Sequence, residues 1–187
     1  MKVTQRLILW LGIAVLTFGL VGCNTVVGTN QYSVKRVSDG DTITVTDARG
    51  NGNIKVRFAC VDAPEIPHST KERNSKNAVD RDQFKWGVKA QDRVKQLVAQ
   101  GGDRVILNII DSDRYGRKVS EVRLSDGTFI QEVLTREGLA LVYRNYLKNC
   151  PSAAVVEQAE AEALKQRRGV WSDSKFVKPW EYRSHNK

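Results

Sequence analysis

Three short stretches of this sequence put carboxylates and guanidinium groups where a chain turns. "DGDT" (residues 39–42) carries Asp41. "DAPE" (residues 62–65) carries Asp62 and Glu65 and closely follows Arg57. "DRYGR" (residues 113–117) carries Arg114, Tyr115 and Arg117. Each alone reads as ordinary turn chemistry, rich in Asp, Gly and Pro. Together they offer oxygen ligands for a hard cation such as Ca²⁺ or Mg²⁺ and arginines that match phosphate oxygens in pairs. They also offer a carboxylate able to orient or deprotonate water. Hydrolysis of a phosphodiester requires that combination. The two histidines, His68 and His185, stand far apart with no partner at zinc-ligand or triad spacing, so neither chemistry is assigned to them.

Such residues need elements to hold them. Apolar and polar residues alternate over 32–38, 42–48, 53–61, 104–110 and 118–124, which predicts five short strands, the first two joined through Asp39-Gly40-Asp41. Val88, Val94, Leu97 and Val98 recur at helical spacing, predicting a helix over 87–100 that Gly101-Gly102 stops. "TFIQEVLTREG" predicts a short helix with Thr128 as N-cap and Gly138 at its end. A last helix over 152–168 should bury Val156, Ala159 and Ala163. Residues 66–86 are charged and aperiodic and read as a long loop, its lysines and arginines on a solvated face, while Trp171 reads as packing against the last helix. The expected class is α+β, a five-stranded OB-type β-barrel with about three helices.

At 187 residues, 41% hydrophobic and 27% charged, the chain can build one such core with attachments. The net charge of +9 favours a polyanionic partner. Lys2 and Arg6 precede an apolar run over 7–22 that is short for a membrane span and fits an export signal. That run ends in "LVGC", residues 20–23, which resembles the lipobox of bacterial lipoproteins. The resemblance implies cleavage before Cys23 and a lipid on its sulfur, anchoring the exported protein at the bacterial cell envelope. The expected organisation is a signal peptide at 1–22, a lipidated N-terminus and tether at 23–31, and a folded domain at 32–187. Without the signal peptide, 28 basic residues face 21 acidic ones, so the basic bias belongs to the exported domain. Cys60 and Cys150 remain as an even pair in an oxidising compartment. They read as a disulfide, with two buried free thiols as the alternative.

The motifs "VSDGDT", "VRFACVDAPE", "DRYGR", "REGLALVYRNY" and "GVW" stand in an order, and at gaps, similar to those of the staphylococcal nuclease (thermonuclease) family, from about residue 32 to 172. The resemblance implies that Asp41, Asp62 and the main-chain carbonyl of Ala63 hold Ca²⁺. It implies that Arg57 and Arg117 bind the scissile phosphate and that Glu65 acts as general base or water-orienter. Arg114 and Tyr115 match positions that contact a second phosphate, and Tyr146 falls near a tyrosine lining the nucleotide pocket. The implied protein is a monomer that cleaves DNA and RNA and leaves 3′-phosphate ends. Two departures stand out: Ala63 replaces the family's threonine, and the loop after Glu65 is longer. The competing class is a non-catalytic module, since OB barrels commonly hold single strands without cutting them; a binder has no use for the full acidic and arginine set.

Overall fold

The computed structural model describes residues 31–47, 50 and 52–185. The expected signal peptide, Cys23 and all of the tether except Gln31 lie outside the described residues.

Alternation builds the barrel as read. Strands β1 (Gln31–Val37), β2 (Thr42–Asp47), β3 (Ile54–Phe58), β5 (Arg104–Ser112) and β6 (Lys118–Arg123) close in the order β1-β2-β3-β6-β5. Ile43 and Val45 of β2, Val56 and Phe58 of β3, Val105 and Leu107 of β5 and Val122 of β6 turn inward and are fully buried or nearly so. Arg57 lies between Val56 and Phe58, and period two sends it to the other face. All pairings are antiparallel except β3 with β6, where Val56 sits beside Lys118. The chain therefore has to cross over between them, and it uses a helix.

The third predicted strand, 53–61, is not one strand. β3 ends at Phe58, Cys60 takes a left-handed φ of 73°, and the chain leaves the barrel as β4 (Val61–Asp62). β4 pairs antiparallel with β7 (Leu141–Val142). This bend carries Asp62 out to the barrel's edge. A disulfide joins Cys60 to Cys150, and the Cys60 carbonyl accepts a hydrogen bond from the Tyr143 amide at 2.9 Å.

The long loop expected over 66–86 is largely helical. Helix α1 (Thr70–Arg73) opens with a capping box in which Ser69 and Glu72 satisfy each other's backbone amides. Helix α2 (Ala78–Gln100) begins well before residue 87, with the Asn77 side chain accepting from the Val79 amide. Its first turns hide their period because charged residues cover the outer face; Gln83, Phe84, Trp86 and Gly87 are the buried ones there. Helix α3 (Ile130–Arg136) starts from Phe129, not Thr128, and has no side-chain cap, because the phenyl group, buried in the core, carries no acceptor. Helix α4 (Ala153–Lys165) buries Val156, Ala159 and Ala163 as expected. Trp171 packs partly buried against the core from a 3₁₀ turn at Gly169–Ser172. A fifth helix, α5 (Pro179–His185), was not expected; Pro179 suits its first turn, where no backbone donor is needed. No described helix is long and apolar enough to cross a membrane.

Candidate active site

The turn between β1 and β2 is tied by its own residues. The Asp41 amide donates to Asp39 Oδ1 at 2.9 Å, and the Ser38 amide to the Thr42 carbonyl at 2.9 Å. The Phe58 amide donates to the Asp41 carbonyl at 2.8 Å, which brings the turn alongside the end of β3. Gly40 is needed there. A methyl on it would stand 2.6 Å from the Ala90 methyl of α2 and 2.7 Å from that of Ala63. The barrel hairpin, the "DAPE" turn and α2 therefore meet at one point.

At that point five of the residues singled out in the sequence converge: Asp41, Arg57, Asp62, Ala63 and Glu65. Asp41 is 7% exposed and Asp62 1%. Arg57 lies between them, with one nitrogen 3.1 Å from Asp41 Oδ2 and the other 2.6 Å from Asp62 Oδ1. Asp41 also accepts from the Ala63 amide at 2.7 Å through Oδ2 and from the Thr42 hydroxyl at 3.1 Å through Oδ1. Glu65 joins the same edge, its amide donating to the buried Gln83 of α2 at 3.3 Å. Burial works against the Arg57 charge, but the surrounding Asp41, Asp62 and Asp39 outweigh it and hold Arg57 protonated. Burial also pushes the Asp62 carboxyl above its ordinary range despite Arg57. Asp39 is pushed up to about 7, first by burial and then by the charge of Asp41.

The second arginine group occupies a separate turn. Arg117 Nε donates to Asp113 Oδ2 at 2.7 Å, and Asp113 Oδ1 accepts from the Tyr115 and Arg117 amides. Arg114 donates to the Tyr115 hydroxyl at 2.8 Å, and both stand in solvent, as does Tyr146. None of the contacts among the described residues joins Arg117 to Asp41, Asp62 or Glu65. Register nonetheless places it near: Arg117 precedes Lys118, the partner of Val56, so continuing the ladder puts Arg117 on the face of the sheet that Arg57 occupies.

The amino-acid pattern has counterparts. Residues 55–173, well over half of the chain, match the family model described as "Staphylococcal nuclease homologue". An "Uncharacterized endonuclease" of Escherichia coli is 35% identical over 150 residues, covering 80% of this chain and 82% of that one. The "Micrococcal nuclease" of Shigella flexneri is 32% identical over 162 residues, covering 82% and 80% respectively. "Endonuclease YhcR" of Bacillus subtilis is 32% identical over 162 residues, but these make up only 13% of its length. The chain belongs to the staphylococcal nuclease family. It is accordingly a hydrolase of the nuclease class, built on that family's α+β barrel.

Two residues of this staphylococcal nuclease homologue reach the site without having been picked out as site residues. Asp39 belongs to the "DGDT" motif, where its type and spacing signal only a turn. Arg183 comes from α5 and lies beyond the matched residues. Its nitrogens sit 2.6 Å from Asp62 Oδ2 and 2.6 Å from Glu65 Oε1. These partners are 121 and 118 residues away in sequence, so no local spacing could signal them.

Proposed function

We propose that the protein is a Ca²⁺-dependent nuclease that hydrolyses phosphodiester bonds of DNA and RNA and leaves 3′-phosphate ends, working as a monomer held at the bacterial cell envelope by a lipid on Cys23. The observation that carries the reading is the convergence of two buried aspartates, Asp41 and Asp62, on Arg57 with Glu65 at the same edge.

The donor set fits a hard cation. It consists of carboxylates with the main-chain carbonyl of Ala63, and no histidine nitrogen is among their contacts. The one cluster of metal-ligand groups that lies closer together among the described residues is Cys60, Cys150 and Glu121, whose sulfurs are joined to each other. When bound, Ca²⁺ would neutralise a phosphate oxygen and supply a positioned water. The chain's own contribution is to hold charge still. Arg57 offers its two-pronged face to the phosphate once the aspartates have another cation to balance. Arg117 and Arg114 add positive charge from the next turn, with Tyr115 and Tyr146 as exposed rings beside a nucleotide. Glu65 takes or directs the proton of the attacking water. The envelope anchor is supported by Lys2, Arg6, the apolar run over 7–22 and "LVGC".

Purified protein beginning at residue 24, incubated with DNA and with RNA, tests the reading. Cleavage that requires Ca²⁺, stops with chelator and leaves 3′-phosphates is the expected result. Binding without cleavage at any Ca²⁺ concentration would leave a non-catalytic module. Acyl labelling in cells should be lost with Cys23→Ser, because the thioether forms only on sulfur; equal labelling would remove Cys23 from the proposal.

A further inference from the structure

Both oxygens of the Asp62 carboxylate are already taken by guanidinium nitrogens. Arg57 holds Oδ1 and Arg183 holds Oδ2, each at 2.6 Å. The same Arg183 reaches Glu65 with its other nitrogen. A divalent cation bound at Asp62 through Oδ2 therefore competes with Arg183 for that oxygen, and one bound through Oδ1 competes with Arg57. The two arginines are not equally committed. Arg57 is 14% exposed and also bridges to Asp41, whereas Arg183 is 41% exposed and sits on a short terminal helix. The cheaper displacement is that of Arg183, and it frees Glu65 in the same step.

The helix that delivers Arg183 is fastened to the rest of the molecule. Trp180 stacks on Tyr143 with ring centroids 5.3 Å apart, and Tyr182 meets the edge of Phe84 in α2 at 6.3 Å. The Tyr182 hydroxyl donates to Asp80 at 2.9 Å, and Gln83 donates to the Val177 carbonyl. Gln83 also accepts from the Glu65 amide, so one buried side chain links the "DAPE" turn to the segment leading into α5. The segment lies past residue 173, where the family match ends.

Resting on the metal-site reading above, we propose that α5 is an autoinhibitory strap, in which Arg183 acts as a tethered cation that neutralises Asp62 and Glu65 and competes with the divalent metal. Metal binding and strap release are then one coupled equilibrium. The apparent metal affinity is the intrinsic one scaled by the fraction of molecules with the strap open. Removing the strap charge raises that affinity without adding any ligand.

Calorimetry with Ca²⁺ alone, in the absence of nucleic acid, tests this on the protein from residue 24 and on its Arg183→Gln, Trp180→Ala and Asp41→Ala variants. Arg183→Gln should tighten Ca²⁺ binding by about tenfold or more, the factor expected if the strap is closed in roughly nine molecules of ten. Trp180→Ala loosens α5 without touching a carboxylate and should shift affinity the same way. In the unmutated protein, Ca²⁺ should speed amide hydrogen exchange in residues 179–185, a change that a purely structural helix would not show. Unchanged Ca²⁺ affinity in Arg183→Gln and Trp180→Ala, with binding lost in Asp41→Ala, would overturn the strap and keep the metal site. A raised KM for DNA at unchanged Ca²⁺ affinity would make Arg183 a phosphate contact and also overturn it. If Asp41→Ala binds Ca²⁺ like the unmutated protein, the metal site itself is misplaced and the strap falls with it.

Discussion

Gly87 of α2 lies directly against Glu65: a methyl group at Gly87 would stand 2.0 Å from the Glu65 carbonyl oxygen and 2.5 Å from its carbon. The obstacle is backbone, which cannot rotate aside. The absence of a side chain in the middle of a helix therefore sets where the "DAPE" turn rests, and through it where Glu65 stands. Gly87→Ala must push α2 or the turn away. The expected outcome is a loss of about 1–3 kcal/mol of stability, the usual range for forced overpacking. Turnover on DNA should fall as well, even well below melting. Thermal melts and single-turnover rates check both; a variant that melts and cuts like the parent would refute the close approach.

Arg57 and Arg117 should respond differently to the same change. Lysine keeps the charge and loses the fork, so Arg57→Lys and Arg117→Lys should each lower turnover by about 10²-fold. Only Arg57→Lys should also lower the melting temperature, because Arg57 bridges two buried aspartates while Arg117 is paired in a solvent-facing turn. Near-parental turnover in either variant would remove the assigned role.

Ca²⁺ affinity should drop in Asp41→Ala and in Asp62→Ala, each losing a hard anionic ligand. Ala63→Thr is a separate matter. Reading the backbone carbonyl alone, the substitution would be harmless to the metal. Ala63 is nearly fully buried, however, and a Cβ on Gly40 would come within 2.7 Å of its methyl, so little room surrounds it. Threonine there should cost about 1–3 kcal/mol of stability. Urea titration in chelator separates this packing loss from metal affinity measured by calorimetry.

Asp39 predicts a pH dependence. In the folded chain it keeps its proton up to about pH 7, whereas in the unfolded chain it releases it near pH 4. Between these values the folded state holds more protons, so this group makes stability fall as pH rises, and the loss is complete above pH 7. In chelator, Asp39→Asn should remove that component and be more stable than the parent at pH 8 but not at pH 4. Urea midpoints at the two pH values decide it; a parallel shift at both would show that Asp39 ionises normally.

The disulfide should matter to rate as well as to melting. The sulfurs take no part in the chemistry at phosphate, which by itself would have reduction lower the melting temperature more than the rate. In the fold, Cys60 is the left-handed residue in the bend between Arg57 and Asp62. Reduction should lower stability by about 2–4 kcal/mol and also lower turnover below melting, as the bend loosens. Rates with and without reductant, at a temperature where both forms are folded, provide the check.

Local pattern by itself marked the five barrel strands and the turns whose carboxylates and arginines supply the candidate site. Period two in "TITV" and "IKVRF" buries Ile43, Val45, Val56 and Phe58 and leaves Arg57 on the opposite face, so the barrel and its arginine follow from alternation. Turn chemistry marked the "DGDT", "DAPE" and "DRYGR" segments, and helical spacing marked Val156, Ala159 and Ala163. Tertiary structure decided what spacing cannot carry. The first turns of α2 are hidden because their charged outer face masks the period, and α3 begins one residue later than Thr128 suggests, after a Phe129 that is buried in the core and brings no capping acceptor. The break at Cys60 depends on β7 and Cys150, partners brought in from far along the chain. Arg183 reaches Asp62 and Glu65 only after the barrel, α2 and α5 have all packed. Charge pairing acts over a few ångströms of space and is indifferent to distance along the chain. A sequence can therefore name the carboxylates of such a site while leaving one of their counter-ions to the fold.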